Sequence, residues 1–565
     1  MPLVKRALPG EEGTFGRLLR AAERGYVPYL VLTVLCLLLF VPGLDSLAPT
    51  DRDEARFMQA SKQMLESGDY VHIKVQDAPR TKKPIGIHWL QVASVKAFGQ
   101  PLNTAWPYRV PSALMAWLAV LLTCGAGRAL FGERAGFVAG LMTATLPLTL
   151  VEAHLAKTDA ALLGFTTLAM LALARVYVAV AENNKADTRW VAAFWLATGA
   201  AILIKGPAVL VVVGAAGTTL CAADRNLALV RALKPWWGIP LSGLVLLPWL
   251  FTLIEPGNGN FLMNAIREDV LPKLAGGQES HGALPGTHMA LMPATAWPWS
   301  LVIPIALIAV WPARNTPAIR FCLAWLVPAW LAFEAIPTKL PHYVLPLLPA
   351  AALLLGAAVQ DSRRWQGALR RPFGMAWRVL WALVSLVLAA GVIWAAQTYS
   401  DGLGTLAILA AAIAAIAALF AVTVGGLLPL ATCGTLGLIG AAFSGVLVDM
   451  IAPRADKLWV APRLAVEVAR AKPTGPVVLV GFHEPSAIFL LGTKTRISDS
   501  AGAAGIAMAN PGTLAAVDAP DVEAFRQSVT ENGYTMTTGA VVAGFNYANG
   551  TNVALTLLTI KKADE

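Results

Sequence analysis

Acidic and basic side chains that could do chemistry are concentrated at five places in an otherwise apolar chain. The first is Asp51-Arg-Asp-Glu-Ala-Arg56, directly after the first apolar run. Helix capping explains one of its carboxylates but hardly three. Ionisable groups next to lipid are costly, so those that persist there are candidates for function. Asp53, Glu54 and Arg56 are therefore candidate site residues.

The other four places combine cations with Gly, Pro, His or a carboxylate. They are Arg80-Thr-Lys-Lys83 ahead of His88, His154 with Asp159, Lys205-Gly-Pro, and Lys339-Leu-Pro-His342-Tyr343. A turn needs Gly and Pro but has no need of Lys. Compact ammonium groups suit a phosphate ligand, and a carboxylate suits a sugar or its acceptor. For any one residue of the second place (Arg80, Lys82, Lys83 or His88), contact with anionic lipid headgroups is an equally good explanation.

The elements that position these groups are expected to cross a membrane. Of 565 residues, 56% are hydrophobic and 14% are charged, which is more apolar surface than a soluble core of this size can bury. We interpret the net charge of +10 as membrane topology and headgroup contact, with no nucleic-acid partner. The five cysteines have no metal or redox spacing, so they are expected to be apolar fillers.

About thirteen apolar runs approach the length of roughly 20 residues that a spanning helix needs. They are centred in 27–44, 107–127, 135–150, 159–181, 190–204, 206–222, 235–254, 291–311, 318–336, 341–359, 376–397, 403–423 and 425–450. Basic residues recur in alternate short connections, as at Arg128 and Arg134 and at Arg363 and Arg364, which predicts a cytoplasmic N-terminus. The candidate groups then lie on the outer face, and so does the C-terminus.

Two domains are predicted. Residues 1–450 form the transmembrane domain, which includes outer juxtamembrane helices in 45–106 and a mobile outer loop at 255–290. Residues 451–565 have the composition of a soluble domain. The expected fold class is a polytopic α-helical membrane protein with an external C-terminal α/β domain.

Local patterns predict particular elements in these outer segments. Glu54 to Leu65 and Ile85 to Phe98 have amphipathic helical spacing. In the C-terminal domain, Val477-Val-Leu-Val480 predicts a strand, Pro485 to Leu491 a helix, and Asn552 to Ile560 another strand. We expect this domain either to help receive an acceptor or to stabilise the fold.

Six short motifs, in order, resemble the 4-amino-4-deoxy-L-arabinose lipid A transferases, which are C-type glycosyltransferases related to protein O-mannosyltransferases. The motifs are Asp53-Glu54 with Arg56, Lys83-Pro84 before His88-Trp89-Leu90, Thr158-Asp159, Lys205-Gly206-Pro207, Pro298-Trp299, and Lys339-Leu340-Pro341-His342-Tyr343-Val344-Leu345-Pro346. The chain departs from the family pattern at Ile85, where a second Pro is usual, and at Phe57, where Tyr is common. These departures bear on the sugar and the acceptor more than on the reaction type.

The resemblance implies inverting transfer of aminoarabinose from undecaprenyl phosphate to a lipid A phosphate, which gives resistance to polymyxin and other cationic peptides. The site would lie at the periplasmic face of the bacterial inner membrane, with membrane lipids around it. The resemblance implies important acids at Asp53 and Asp159, to which we add Glu54 as a catalytic candidate. The candidates for binding the lipid phosphate are Lys83, Arg56, Lys205, Tyr343, Lys339 and His342.

Alternatives stay open beside this interpretation. A related polyprenyl-phosphate-sugar glycosyltransferase could act on another lipid or on protein. A transporter of a lipid-linked sugar would usually show repeated halves and interrupted midplane helices, and neither is visible in the sequence. Some members of the superfamily use a divalent metal, for which this sequence has no ligand motif, so the metal is left unknown. The outer residues that could supply ligands are Asp51, Asp53, Glu54, His72, His88, His154, His281 and His288.

Overall fold

The computed structural model describes residues 25–80, 83–253, 282–402 and 404–562. The basic residues before position 25, Lys82, His281 and most of the predicted loop at 255–290 lie outside the described residues.

Helices make up almost all of the structure as far as residue 454. They are α1 (Val27–Phe40), α2 (Asp53–Ser67), α3 (Gly86–Phe98), α4 (Trp106–Phe131), α5 (Glu133–Thr145), α6 (Pro147–Ala153), α7 (Thr158–Ala181), α8 (Thr188–Lys205), α9 (Ala208–Asp224), α10 (Ala228–Leu233), α11 (Pro235–Leu253), α12 (Thr287–Thr295), α13 (Ile303–Val310), α14 (Pro317–Ala335), α15 (Leu348–Ala358), α16 (Ser362–Arg370), α17 (Pro372–Tyr399), α18 (Gly404–Thr423) and α19 (Pro429–Gly445). A 3₁₀ segment, Pro341–Leu347, leads into α15, and a π-helical turn, Val446–Ile451, extends α19.

Among the described residues, seven helical segments are long and apolar enough to cross a bilayer. An eighth span results if α5 and α6, which meet at 60°, are counted together. The break falls at Pro147, which lacks the N–H needed to continue a helix, and Leu146 before it is extended (ψ 126°). Each predicted apolar run coincides with helix, and the polytopic helical class is confirmed. Several of these helices are shorter than a full span, so the count of about thirteen stays a prediction.

The two predicted amphipathic helices are present between the first spans as α2 and α3. Each ends at a glycine in the left-handed conformation, Gly68 (φ 73°) and Gly99 (φ 61°), which a glycine adopts without a Cβ clash. A two-stranded hairpin, β1 (Lys74–Val75) and β2 (Ala78–Pro79), follows α2. The segment therefore carries Asp53, Glu54 and Arg56 on α2 and His88 on α3.

The C-terminal region forms a five-stranded sheet in the order β4-β3-β5-β7-β6. Its elements are α20 (Val460–Ala471), β3 (Val477–Val480), α21 (Pro485–Leu491), β4 (Arg496–Ile497), α22 (Ser500–Ala509), β5 (Leu514–Asp518), α23 (Val522–Thr530), β6 (Tyr534–Asn546) and β7 (Thr551–Lys562). β3 pairs in parallel with β4 and β5, whereas β7 is antiparallel to β5 and β6. The predicted strand, helix and later strand are all present.

Alternation along β3 explains the layered packing of this region. Leu479 belongs to the apolar cluster that includes residues of α20 and α21, whereas Val478 and Val480 belong to the cluster with α22 and α23. Successive side chains of a strand point to opposite faces, so a strand covered on both faces is apolar throughout. The result is a sheet between two helical layers.

Candidate active site

Asp53 is the first residue of α2, and its side chain is 56% exposed. Arg80, which follows β2, approaches it with Nη2 at 3.7 Å from Oδ1. Desolvation would raise the pKa of Asp53, but the positive charges of Arg80, Lys157 and Lys83 outweigh it and hold the pKa below the ordinary value. Asp53 is therefore an ionised, accessible carboxylate with cations around it.

Asp159, at the start of α7, lies in a deeper group of charges. Its Oδ1 accepts a hydrogen bond from Lys205 Nζ at the end of α8. Lys157 Nζ is 3.7 Å from Oδ2, and His342 Nε2 is 3.7 Å from Oδ1. Three motifs that are far apart in sequence are thus brought together, as the site prediction requires.

Glu152, on α6, completes this group and was missed in the sequence. Its Oε1 is 2.9 Å from Lys157 Nζ and 3.6 Å from His342 Nδ1. We call Glu152, Lys157, Asp159, Lys205 and His342 the buried cluster. It contains two carboxyl groups and two ammonium groups, and each ammonium group pairs with at least one of the carboxyl groups. An acid inside an apolar run, as Glu152 is, was the available signal.

Lys157 links the buried cluster to Asp53. Burial by itself would lower the pKa of Lys157. The negative charges of Glu152, Asp159 and Asp53 raise the pKa by more than burial lowers it, so the net shift is upward. The ammonium group of Lys157 therefore stays charged between Asp53 and the carboxyl groups of the buried cluster. Tyr343 borders the buried cluster, because Lys205 Nζ lies 5.4 Å from the centre of its ring.

Glu54 does not face this site, and the expectation that it is catalytic is corrected. Its carboxylate accepts hydrogen bonds from Arg109 Nε and Nη2, at 2.8 and 3.1 Å, and from the Ala156 amide at 2.9 Å. The amide and hydroxyl of Thr50 also donate to it, each at 2.8 Å. With every acceptor position occupied and the side chain buried, Glu54 is a structural group.

The expectation that Lys339 binds phosphate is also corrected, because Lys339 caps a helix. Its Nζ donates to the carbonyl of Glu334 at 2.7 Å and to that of Ile336, both at the C-terminal end of α14. Those carbonyls have no partner within the helix, and a cation is favoured beside them. The turn therefore does use its lysine, contrary to the argument from turn composition.

One further placement differs from expectation. His154 is not paired with Asp159, because its ring nitrogens face the carbonyls of Leu150 and Pro42, at 2.8 and 2.7 Å, and Asp449 at 3.5 Å. Arg56 is half-buried on α2 and makes no ion pair within the described ranges. Lys83 lies near enough to Asp53 to lower the pKa of that carboxyl group.

No group of three His, Cys, Asp or Glu side chains that could hold a metal occurs in the described residues. The candidate ligands are dispersed: His72 pairs with Asp69 at 2.8 Å, His88 with the Ser61 hydroxyl at 2.9 Å, and His288 with Glu334 at 3.4 Å. His281 lies outside the described ranges. These donor sets do not fit a metal centre.

The fold and the site together define a polytopic membrane protein with the architecture of the C-type glycosyltransferases. The crystal structure of ArnT from Cupriavidus metallidurans in the apo state is similar over 94% of this chain and 97% of that one, with a TM-score of 0.72 and 21% identity. The same protein bound to undecaprenyl phosphate is similar over 96% and 98% of the two chains, with a TM-score of 0.70 and 20% identity.

Sequence comparisons agree with the likeness in fold. A family model described as dolichyl-phosphate-mannose-protein mannosyltransferase matches residues 26–255. Undecaprenyl phosphate-alpha-4-amino-4-deoxy-L-arabinose arabinosyl transferase 2 of Pseudomonas fluorescens is 28% identical over 348 residues, 59% of this chain and 60% of that protein. The corresponding transferase of Pseudomonas paraeruginosa is 27% identical over 343 residues, 59% of this chain and 61% of its own length. The match thus spans about three fifths of these relatives. The resemblance inferred from the six motifs is confirmed.

Proposed function

We propose that this chain is a glycosyltransferase that moves 4-amino-4-deoxy-L-arabinose from undecaprenyl phosphate to a phosphate of lipid A. The observation that carries the proposal is the exposed, ionised Asp53 beside Arg80 and Lys83 and close to Lys157 of the buried cluster. The names of the sequence relatives and the undecaprenyl phosphate bound by ArnT support the donor. Lipid A as acceptor is carried over from the resemblance.

The reaction is an inverting displacement at the anomeric carbon. An acceptor phosphate oxygen forms the new bond to carbon, and the electron pair of the breaking carbon–oxygen bond goes to the undecaprenyl phosphate. Negative charge therefore develops on the leaving phosphate, and fixed cations beside it lower the barrier. Because the acceptor phosphate is already an anion, the reaction requires little base strength.

That requirement fits the lowered pKa of Asp53, which makes it a weak base. We propose that Asp53 orients the acceptor or balances the sugar ammonium group, with Asp159 and Lys205 fixing the floor of the site. Beside Asp53, the two cations Arg80 and Lys83 outweigh its carboxylate by one positive charge. We add Arg80 to Lys83, Arg56, Tyr343 and His342 as candidates around the lipid phosphate.

The decisive experiment measures lipid A by mass spectrometry in a bacterial strain that lacks its own aminoarabinose transferase. Wild-type protein should add aminoarabinose, and Asp53→Asn and Lys83→Ala should each abolish the addition at equal protein levels. Asp69→Asn is the matched control, because Asp69 pairs with His72 in the same juxtamembrane segment and lies outside the site. Unmodified lipid A with the wild-type protein would overturn the substrate assignment.

A protein acceptor is the second candidate, favoured by the match of residues 26–255 to the protein mannosyltransferase model. It shares the site and the lipid-linked donor, and it differs only in the acceptor. Purified protein given radiolabelled undecaprenyl phosphate-sugar would distinguish a protein acceptor from lipid A. If the acceptor is a protein, the label would appear in protein and not in lipid A. A transporter would bind this donor without turnover.

The proposed setting is the bacterial inner membrane, with the N-terminus cytoplasmic and the site periplasmic. The alternation of basic connections supports this orientation. We propose residues 1–450 as the transmembrane domain and 451–565 as the periplasmic domain. Cysteine labelling of an introduced residue in α22 from outside intact spheroplasts would test the side on which the C-terminus lies.

A further inference from the structure

The C-terminal sheet touches the backbone immediately before Asp53. The turn between β6 and β7 supplies both contacts. The amide of Asp51 donates to Tyr547 Oη at 2.7 Å, and the Arg52 guanidinium donates to the carbonyl of Ala548. Residues almost 500 positions apart are joined here, with a separation of 496 in each case.

The backbone held by these contacts is strained. Arg52 has φ 64° and ψ −108°, a conformation that side chains other than glycine rarely adopt. Such residues persist only where their surroundings hold them, and they are enriched at functional sites. Arg52 directly precedes Asp53, so its conformation sets the direction in which α2 begins.

A second, separate contact fixes the body of α2. Lys62 Nζ donates to the carbonyl of Phe489 in α21 at 2.9 Å, and Gln59 Nε2 donates to Thr493 Oγ1 at 2.8 Å. The Phe489 ring is buried and meets the ring of Tyr108 edge-on, with centroids 5.6 Å apart. The domain therefore also contacts α2 at points that do not involve the β6–β7 turn.

We infer that the C-terminal domain is a positioning element of the active site and acts through Tyr547 and Arg52. The turn at Tyr547 and Ala548 holds the strained backbone that aims the Asp53 carboxylate toward Arg80. Tyr547 and Arg52 are positioning residues that act through Asp53. The inference rests on the proposed role of Asp53 in sugar transfer.

The test compares Tyr547→Phe with Tyr534→Phe in the full-length protein in lipid nanodiscs. Loss of the Tyr547 hydroxyl leaves the Asp51 amide without its acceptor, so hydrogen exchange in residues 50–56 should accelerate about fivefold. With undecaprenyl phosphate-aminoarabinose and lipid A, kcat should fall about tenfold while KM for the donor changes less than twofold. Tyr534→Phe, at the far end of the same hairpin, should change none of these quantities.

Arg52→Gly provides a second variant that is expected to fold. Glycine adopts the observed φ without strain, but it removes the guanidinium contact to Ala548. The unfolding midpoint should be retained and kcat should fall about tenfold. A wild-type kcat in Arg52→Gly, or unchanged exchange of residues 50–56 in Tyr547→Phe, would overturn the inference.

The two proposals fail in different ways. If the wild-type protein transfers no aminoarabinose but Tyr547→Phe still loosens residues 50–56, the proposed function is wrong and the contact is structural. If the wild type transfers the sugar and Tyr547→Phe leaves both exchange and kcat unchanged, the positioning role alone is wrong.

Discussion

Arg109 and Glu54 form a two-fold hydrogen-bonded ion pair that is closed to solvent, with side-chain exposures of 0% and 1%. Arg109 belongs to α4, and its Nη1 also donates to the carbonyls of Leu44 and Leu47, at 2.7 and 2.6 Å. The pair therefore fastens the chain after α1 and the start of α2 to a long apolar helix. Asp53 and Glu54 are adjacent in sequence, yet one faces the site and the other anchors it.

Glu54→Gln should destabilise the protein. Removal of one charge from a buried pair leaves Arg109 uncompensated, at a cost of about 3–5 kcal/mol. Thermal unfolding in detergent is the measurement, and Glu133→Gln is the control, because Glu133 forms an exposed pair with Arg128 that is worth about 1 kcal/mol or less. A Glu54→Gln protein with wild-type stability and no activity would instead support a catalytic Glu54.

Asp159 and Lys205 should be energetically coupled in catalysis. In a double-mutant cycle of Asp159→Asn and Lys205→Ala, each loss in kcat/KM is converted to a loss of transition-state stabilisation. The double mutant should lose about 2 kcal/mol less than the sum of the two single mutants. Asp224 and Arg320 form the control pair, which is distant from the site and partly exposed. Additive losses at Asp159 and Lys205 would show that their contact does not serve the reaction.

Lys339 and Lys83 should respond differently to loss of charge. Lys339→Met uncaps α14 and should lower the free energy of unfolding by about 1 kcal/mol, with KM for the lipid donor unchanged. Lys83→Met should leave stability unchanged and weaken donor binding or turnover by at least about tenfold. Chemical denaturation and steady-state kinetics on both variants separate the roles. A raised KM in Lys339→Met would return Lys339 to the phosphate site.

Docking of the C-terminal domain should depend on pH through Asp51. Burial raises the pKa of Asp51 from 3.8 to about 6, while the amide of Ser486, 3.3 Å from Oδ1, acts in the opposite direction. The docked state therefore binds a proton more tightly than the undocked state. The stability that protonated Asp51 adds to the docked state is complete below about pH 3.8 and is lost as the pH rises through 6.

Hydrogen exchange of residues 484–491 at pH 5 and pH 7, corrected for the intrinsic exchange rate, measures this effect. Protection should be greater at pH 5 in the wild type and nearly independent of pH in Asp51→Asn. Asp77→Asn is the matched control at the same interface, where Asp77 forms an exposed pair with Arg496 at 3.0 Å. Equal pH dependence in wild type and Asp51→Asn would contradict the assignment to Asp51.

Much of the fold could be predicted because its signals are local. A run of apolar residues long enough to span lipid is visible without any neighbour, and so is the amphipathic spacing of α2 and α3. The burial of β3 on both of its faces likewise follows from four consecutive apolar residues. The count of spans was harder, because breaks such as the one at Pro147 interrupt helices inside continuous apolar runs.

The site was predicted in part for the same reason. Five polar residues stand out among apolar ones in the sequence: Asp53, Lys83, Asp159, Lys205 and His342. The structure brings Lys205 and His342 to Asp159, and it places Lys83 and Asp159 near Asp53. Whether each polar group faces the site or a structural partner depends on elements that are distant in the chain.

The sequence by itself therefore determined the helical membrane class, the α/β pattern of the C-terminal region and the choice of charged motifs. Only the tertiary structure decided that Glu54 pairs with Arg109, that Lys339 caps α14, that Glu152 completes the buried cluster, and that Tyr547 reaches the backbone before Asp53. Hydropathy and periodicity are properties of neighbouring residues. The partner that satisfies a buried charge is a property of packing, which can join residues hundreds of positions apart.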